Sequence, residues 1–232
     1  MPDHDRGNGA ELYLSRLFLD PRSKQVQREL SELYELHRTL MRAFPMDGPK
    51  PDASAACGVL FRVDEDSREG AISVLVQSSV QPDWAPLRAL ASYLDPAADP
   101  EPVTCKAIHR QYAMLVGGAT LSFRLRANPT KRRKDNAKRV GLYREQEQLA
   151  WLRRKAECGG FEVLQAIAIR EPFALGKLTD ASAARHDLKH NSVKFEGTLR
   201  VTEPSAFVQT LRNGIGSAKA FGFGLLSLGP PH

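Results

Sequence analysis

Cysteine is scarce. Only Cys57, Cys105 and Cys158 occur in 232 residues, far apart and odd in number. That excludes a disulfide framework and a zinc site of paired cysteines, and it fits a reducing compartment. The N-terminal M-P-D-H-D-R-G-N-G lacks the apolar core of a secretory signal. Long hydrophobic runs are missing too: the longest, Ala113 to Leu121, is broken by Gly117 and Gly118 and is too short to span a bilayer. The chain therefore reads as cytoplasmic, with no membrane partner.

Two phosphate motifs are also absent. The stretch Asn213 to Gly224, N-G-I-G-S-A-K-A-F-G-F-G, holds four glycines, one lysine and no acid. A P-loop needs glycine, then lysine, then a hydroxyl residue. Here Lys219 stands between Ala218 and Ala220. A dinucleotide fingerprint needs a third glycine three places after the second, and counting from Gly214 and Gly216 that place is Lys219. Spacing thus disfavours a nucleotide-binding enzyme, no cofactor is expected, and a polynucleotide remains as the phosphate source.

What is present is an ordinary folded composition, 42% hydrophobic and 26% charged, with a mean hydropathy of −0.37. Lys and Arg number 33 against 27 Asp and Glu, a net charge of +6 with a pI near 9.3. That balance suits an anionic partner without establishing one.

Periodicity predicts a strand over Glu11–Asp20 and then one helix from Ser23 to Phe44. Along that helix Val26, Leu30, Leu33, His37, Leu40 and Phe44 form a single stripe. Gly58–Val63 and Ala71–Ser78 read as a hairpin, Pro82–Tyr93 as a helix and Thr104–Arg110 as a strand. The order strand, helix, strand, strand, helix, strand is ferredoxin-like. The second half repeats it: strand Thr120–Arg126, helix Leu142–Glu157, strands Phe161–Arg170 and Ser192–Val201, a helix from Pro204 to Leu211 and a last strand Phe223–Leu228. The expected fold class is α+β, two tandem ferredoxin-like βαββαβ domains over residues 10–112 and 118–232.

Two features could carry chemistry. In Y-E-L-H-R, His37 holds a stripe position where leucine is expected, Tyr34 lies three residues earlier on the same face, and Arg38 follows. The plain reading is a hydrogen-bonded histidine packed beside a tyrosine. The chemical reading is a proton-transfer group beside a phenol and a phosphate-neutralising arginine. The second feature is A-N-P-T-K-R-R-K-D-N-A-K-R, in which six of the nine residues from Lys131 to Arg139 are basic. Such density is either a solvated loop or the footprint of phosphate contacts. Arg185, His186, Lys189 and His190 form another basic cluster in a polar loop, where nothing completes a metal site.

Together these segments resemble the CasE type of CRISPR-associated endoribonuclease from Leu12 to about Gly229. The matching stretches are L-Y-L-S-R-L-F-L-D-P, Y-E-L-H-R-T-L, F-R-L-R-A-N-P-T-K and G-I-G-S-A-K-A-F-G-F-G-L-L-S-L, in that order. The resemblance implies metal-independent cleavage of precursor CRISPR RNA at the 3′ base of a repeat stem-loop by 2′-hydroxyl attack, leaving a 2′,3′-cyclic phosphate and a 5′-hydroxyl. It implies that the product stays bound and that the partners are the repeat RNA and the other subunits of the type I-E surveillance complex, Cascade. Carried onto this chain, the catalytic pair is His37 and Tyr34, with acid and base roles open. The RNA contacts expected from charge and glycine content are Arg38, Lys131, Arg132, Arg133, Lys134, Lys138, Arg139, Gly214, Gly216 and Lys219, with no metal. The alternative is a non-catalytic hairpin-binding subunit using the same basic surface.

Overall fold

The computed structural model describes residues 11–45, 57–65, 70–133, 139–171, 174–179 and 185–231. Strand β1 (Tyr13–Leu19) alternates buried and more exposed positions, as its sequence demands. Helices α1 (Lys24–Ser31) and α2 (Leu33–Leu40) follow, then β2 (Leu60–Glu65), β3 (Ile72–Ser78), the short α3 (Ala85–Arg88) and β4 (Val103–Ala107). The four strands form one antiparallel sheet in the order β2-β3-β1-β4.

Helix α4 (His109–Ala113) leads into the second unit. There β5 (Thr120–Ala127), the two-stranded β6 (Thr130–Arg132) and β7 (Arg139–Gly141), and helix α5 (Glu145–Cys158) are followed by β8 (Phe161–Arg170). A β9 (Ala174–Thr179) and β10 (Arg185–His190) hairpin precedes β11 (Val193–Val201), helix α6 (Pro204–Asn213) and β12 (Leu226–Gly229). The main sheet runs β12-β5-β11-β8, again antiparallel. Both sheets place their first and third strands in the middle. The fold is two ferredoxin-like domains, as expected.

Where the structure departs from the periodicity, a tertiary contact accounts for it. The single helix expected from Ser23 to Phe44 breaks at Glu32 (φ −131°, ψ 76°) into α1, α2 and a 3-10 turn at Met41–Ala43. In a straight helix residues 29 and 39 would lie about 15 Å apart along the axis. Here the Thr39 hydroxyl donates to Glu29 Oε1 at 2.8 Å, so the axis must fold back. Glu29 is buried and also accepts from Gln25 (2.8 Å) and from the Tyr93 hydroxyl (2.5 Å). Tyr93 is thereby recruited to the first core, its carbonyl accepts the Asp20 N–H, and Leu94 bridges to Leu19. This explains why α3 ends at Arg88 rather than at Tyr93. Strand β4 stops at Ala107 because Tyr112 and Leu115 must reach the second core, and α4 carries them there.

The two cores are joined by the glycine segment. Phe221 and Phe223 follow the second domain's last helix, yet both are buried in the first domain's core against α2 and β2. The expected strand Phe223–Leu228 therefore begins only at Leu226, and Gly222 and Gly224 lie outside it. Gly214 (φ +70°) is required by this crossing. A Cβ there would stand 2.8 Å from Leu60 of β2 and 2.9 Å from the Gly224 carbonyl. Arg62 of β2 supplies a polar tie. It is 4% exposed, bidentate to Asp64, and reaches Ser227 Oγ (2.7 Å) and the Arg124 carbonyl (3.3 Å) in the other domain. A guanidinium that deeply buried is tolerable only because its donors are matched.

Candidate active site

Helix α2 presents His37 at the seam between the domains. The imidazole is 7% exposed, stacks on Phe61 of β2 (centroids 5.9 Å, 12°) and lies 6.2 Å from the half-buried Tyr34 ring. Tyr34 rests on Phe221 (5.8 Å), and Phe221 on His190 at the end of β10 (4.4 Å). The pair expected from Y-E-L-H-R is thus brought together, walled by one phenylalanine from each domain.

Among the described residues, no hydrogen bond makes His37 a satisfied core histidine. Its Nδ1 is buried and has no partner among the described residues. An orphaned polar atom of this kind costs about 1–3 kcal/mol, which leucine at the same stripe position would avoid. Burial pushes the His37 pKa down to about 4, so the ring is unprotonated at neutral pH. His190 is also pushed down by burial; its Nδ1 lies 3.1 Å from Asn128 Nδ2 and its Nε2 is buried without a partner among the described residues.

A stability consequence follows. The unfolded chain protonates His37 near 6.5 and the folded chain only near 4. Stability is therefore full above pH 6.5 and declines as pH falls towards 4, by an upper limit of about 3 kcal/mol. Urea unfolding of the RNA-free protein between pH 7.5 and 4.5 should show this decline. His37→Leu should remove much of it, leaving the smaller contribution of His190.

The basic surface assembles around a cleft of about 480 Å³ lined by Lys131, Arg132 and Arg139 from the β6–β7 hairpin, Arg154 and Lys155 from α5, and Gly214, Gly216 and Ser217. The stretch read as a loop is thus the two arms of a small hairpin. Lys134 and Lys138 lie outside the described residues. Lys131 pairs with Glu147 at 3.0 Å, and this holds the Glu147 carboxyl below its ordinary pKa. Arg133 is exposed beside the cleft. Gly216 (φ +88°) leaves room for the Trp151 edge, which a Cβ would approach to 3.2 Å. Lys219 is not in this cleft: it is exposed on the turn that packs against α2, on the His37 side of the molecule. Arg38, on α2 itself, is exposed and paired with Glu35 at 3.1 Å.

Sequence reasoning missed Arg154 and Lys155. The R-R-K run after Trp151 was a signal, but on an amphipathic helix it reads as a solvated face. The segment 185–190, expected as a loop, is strand β10, and the β9–β10 hairpin runs alongside α2. Among the described residues no group of three His, Cys, Asp or Glu side chains is placed to hold a metal ion, and no helix is long and apolar enough to cross a membrane.

This geometry has counterparts among known proteins. A family model described as CRISPR associated protein matches residues 12–230. The CRISPR-associated endoribonuclease Cse3 of Thermus thermophilus is 34% identical over 226 residues, covering 94% of this chain and all of the relative. The Cascade subunit CasE of Escherichia coli is 33% identical over 211 residues, covering 86% and 92%. The solved structure of Thermus thermophilus Cse3 bound to an RNA representing a pre-cleavage complex superposes with a TM-score of 0.73 at 33% identity, covering 95% of this chain and all of that one. The chain belongs to the CRISPR associated protein family, as an endoribonuclease of the CasE type.

Proposed function

We propose that the protein binds the stem-loop of a CRISPR repeat and cleaves the precursor at the 3′ base of the stem without a metal ion. His37 is the proton-transfer group and Tyr34 its partner. The observation that carries this reading is a buried imidazole, on an otherwise apolar stripe, whose Nδ1 has no partner among the described residues, a stability cost that packing alone does not require.

In this reaction the upstream 2′-hydroxyl attacks its own phosphate in line. Its proton passes to the neutral His37 ring, the form that burial enforces. The P–O5′ bond breaks, and the departing oxygen takes a proton from the Tyr34 hydroxyl, which the imidazolium later restores through solvent. The products are a 2′,3′-cyclic phosphate and a 5′-hydroxyl. Lys219, on the turn packed against α2, and Arg38, on α2 itself, would neutralise the charge that builds on the phosphate. The stem would run along the cleft, its phosphates met by Lys131, Arg132, Arg139, Arg154 and Lys155, with Arg133, Lys134 and Lys138 close by in sequence and Gly214 and Gly216 letting the backbone approach.

The stem contributes most of the contacts and is unchanged by the cut, so the product remains bound and turnover is single. The bound protein serves as a Cascade subunit in the cytoplasm. The same reading divides the chain at 10–112, bearing the catalytic helix, and 118–232, bearing the basic hairpin and glycine segment.

The test is incubation with repeat stem-loop RNA in excess EDTA. Cleavage should proceed undiminished, with cyclic phosphate on the upstream product. Strict dependence on magnesium would exclude the mechanism, and tight binding with no cleavage would leave only a hairpin-holding subunit.

A further inference from the structure

At the root of the basic hairpin stands an aromatic side chain that neither core absorbs. Tyr143, two residues beyond β7, is 53% exposed. Its ring lies over Gly141, where an added Cβ would come within 3.0 Å of Tyr143 Cζ and Oη. The glycine thus provides the seat that keeps the phenol at the surface. Arg170, the exposed last residue of β8, stands over the same ring with its guanidinium carbon 5.9 Å from the centroid. Arg170 has no ion-pair partner among the described residues.

At 5.9 Å the guanidinium is within cation–π range of the ring. Both side chains are exposed, so an outward swing of Arg170 opens the face of the phenol to a flat group. Nucleobases are flat groups that stack on tyrosine and on guanidinium planes, and they can enter such a slot only when unpaired. The adjoining hairpin carries Lys131, Arg132 and Arg139, which would hold the backbone of the same strand.

We propose that Tyr143 and Arg170 form a clamp for one unpaired nucleobase of the bound RNA, so that the protein grips single-stranded RNA next to the phosphates of the stem. This rests on the reading that the chain binds RNA, and deepens it.

The experiment compares three RNAs: the repeat stem-loop, a blunt fully paired duplex, and a short single strand carrying 2-aminopurine. Tyr143→Ala should weaken single-strand binding by about 5- to 150-fold, the range for loss of one base stack. It should leave duplex binding and the melting temperature unchanged, and it should abolish the 2-aminopurine quenching seen with the wild type. Tyr143→Phe should retain quenching and affinity, and Arg170→Gln should weaken both in part. Equal effects of Tyr143→Ala on single strand and duplex, or no effect on either, would overturn the clamp while leaving stem-loop binding intact. A wild-type protein that binds none of the three RNAs would overturn the RNA-binding reading and the clamp with it.

Discussion

His37→Ala should lower the single-turnover cleavage rate of repeat RNA by about 10²- to 10⁴-fold, the usual worth of a positioned proton-transfer group. Binding of the stem-loop should hardly change, because the side chains proposed to meet the stem's phosphates line the cleft between the β6–β7 hairpin and α5, away from position 37. Alanine leaves a small cavity against Phe61. His37→Leu fills it and restores the apolar stripe, so it should fold with equal or greater stability and still not cleave. Gain of stability with loss of activity would show that the imidazole is kept for chemistry. Tyr34→Phe keeps the packing on Phe221 and removes only the hydroxyl, for an expected loss of about 10²-fold. Rates are read by quenched-flow or gel assay and affinities by filter binding. Loss of binding in His37→Leu would make His37 a structural residue.

A single deoxyribose on the 5′ side of the cut should abolish cleavage altogether, a larger effect than any side-chain substitution. Removal of the 2′-oxygen removes the nucleophile, and neither imidazole nor phenol can replace it. Affinity should fall by no more than the worth of one hydrogen bond, about 1 kcal/mol or fivefold. A nuclease that used water as nucleophile would cut the deoxy substrate and leave a linear phosphate. Intact RNA after long incubation with excess protein, alongside full competition for binding, is the expected result. Cleavage of the deoxy substrate at a normal rate would sink the mechanism.

Much of the fold was legible because local pattern and local burial coincide. T-L-S-F-R-L-R alternates, and its even spacing puts Phe123 and Leu125 inside. The stripe from Val26 to Phe44 is buried at Val26, Leu33, His37, Leu40 and Phe44, as read. The break at Glu32 was illegible because its cause, the hydrogen bond of Thr39 to Glu29, joins residues ten apart that a straight helix would separate. The strand character of 185–190 was hidden because its support is pairing with β9, and charged residues on a two-stranded hairpin leave no alternation to read. Arg154 and Lys155 were passed over because nothing in an amphipathic helix tells a solvated cation from one lining a cleft.

By itself the sequence determined the order of the main elements of each domain, the two ferredoxin-like repeats, the density of positive charge after β5, and a histidine where the apolar stripe calls for leucine. These are properties of short windows, which periodicity and composition report directly. Only the tertiary structure decided that Phe221 and Phe223 cross into the other domain's core, that Phe61 and Tyr34 enclose His37 with one ring nitrogen unmatched, and that four separate segments converge on one cleft. The reason is physical. The first depends on which surfaces of two independently patterned domains are pressed together, an interface formed by residues from 60 to more than 160 positions apart in the chain, such as Arg62 with Arg124 and Ser227. The other two depend on how segments distant in sequence pack within one domain.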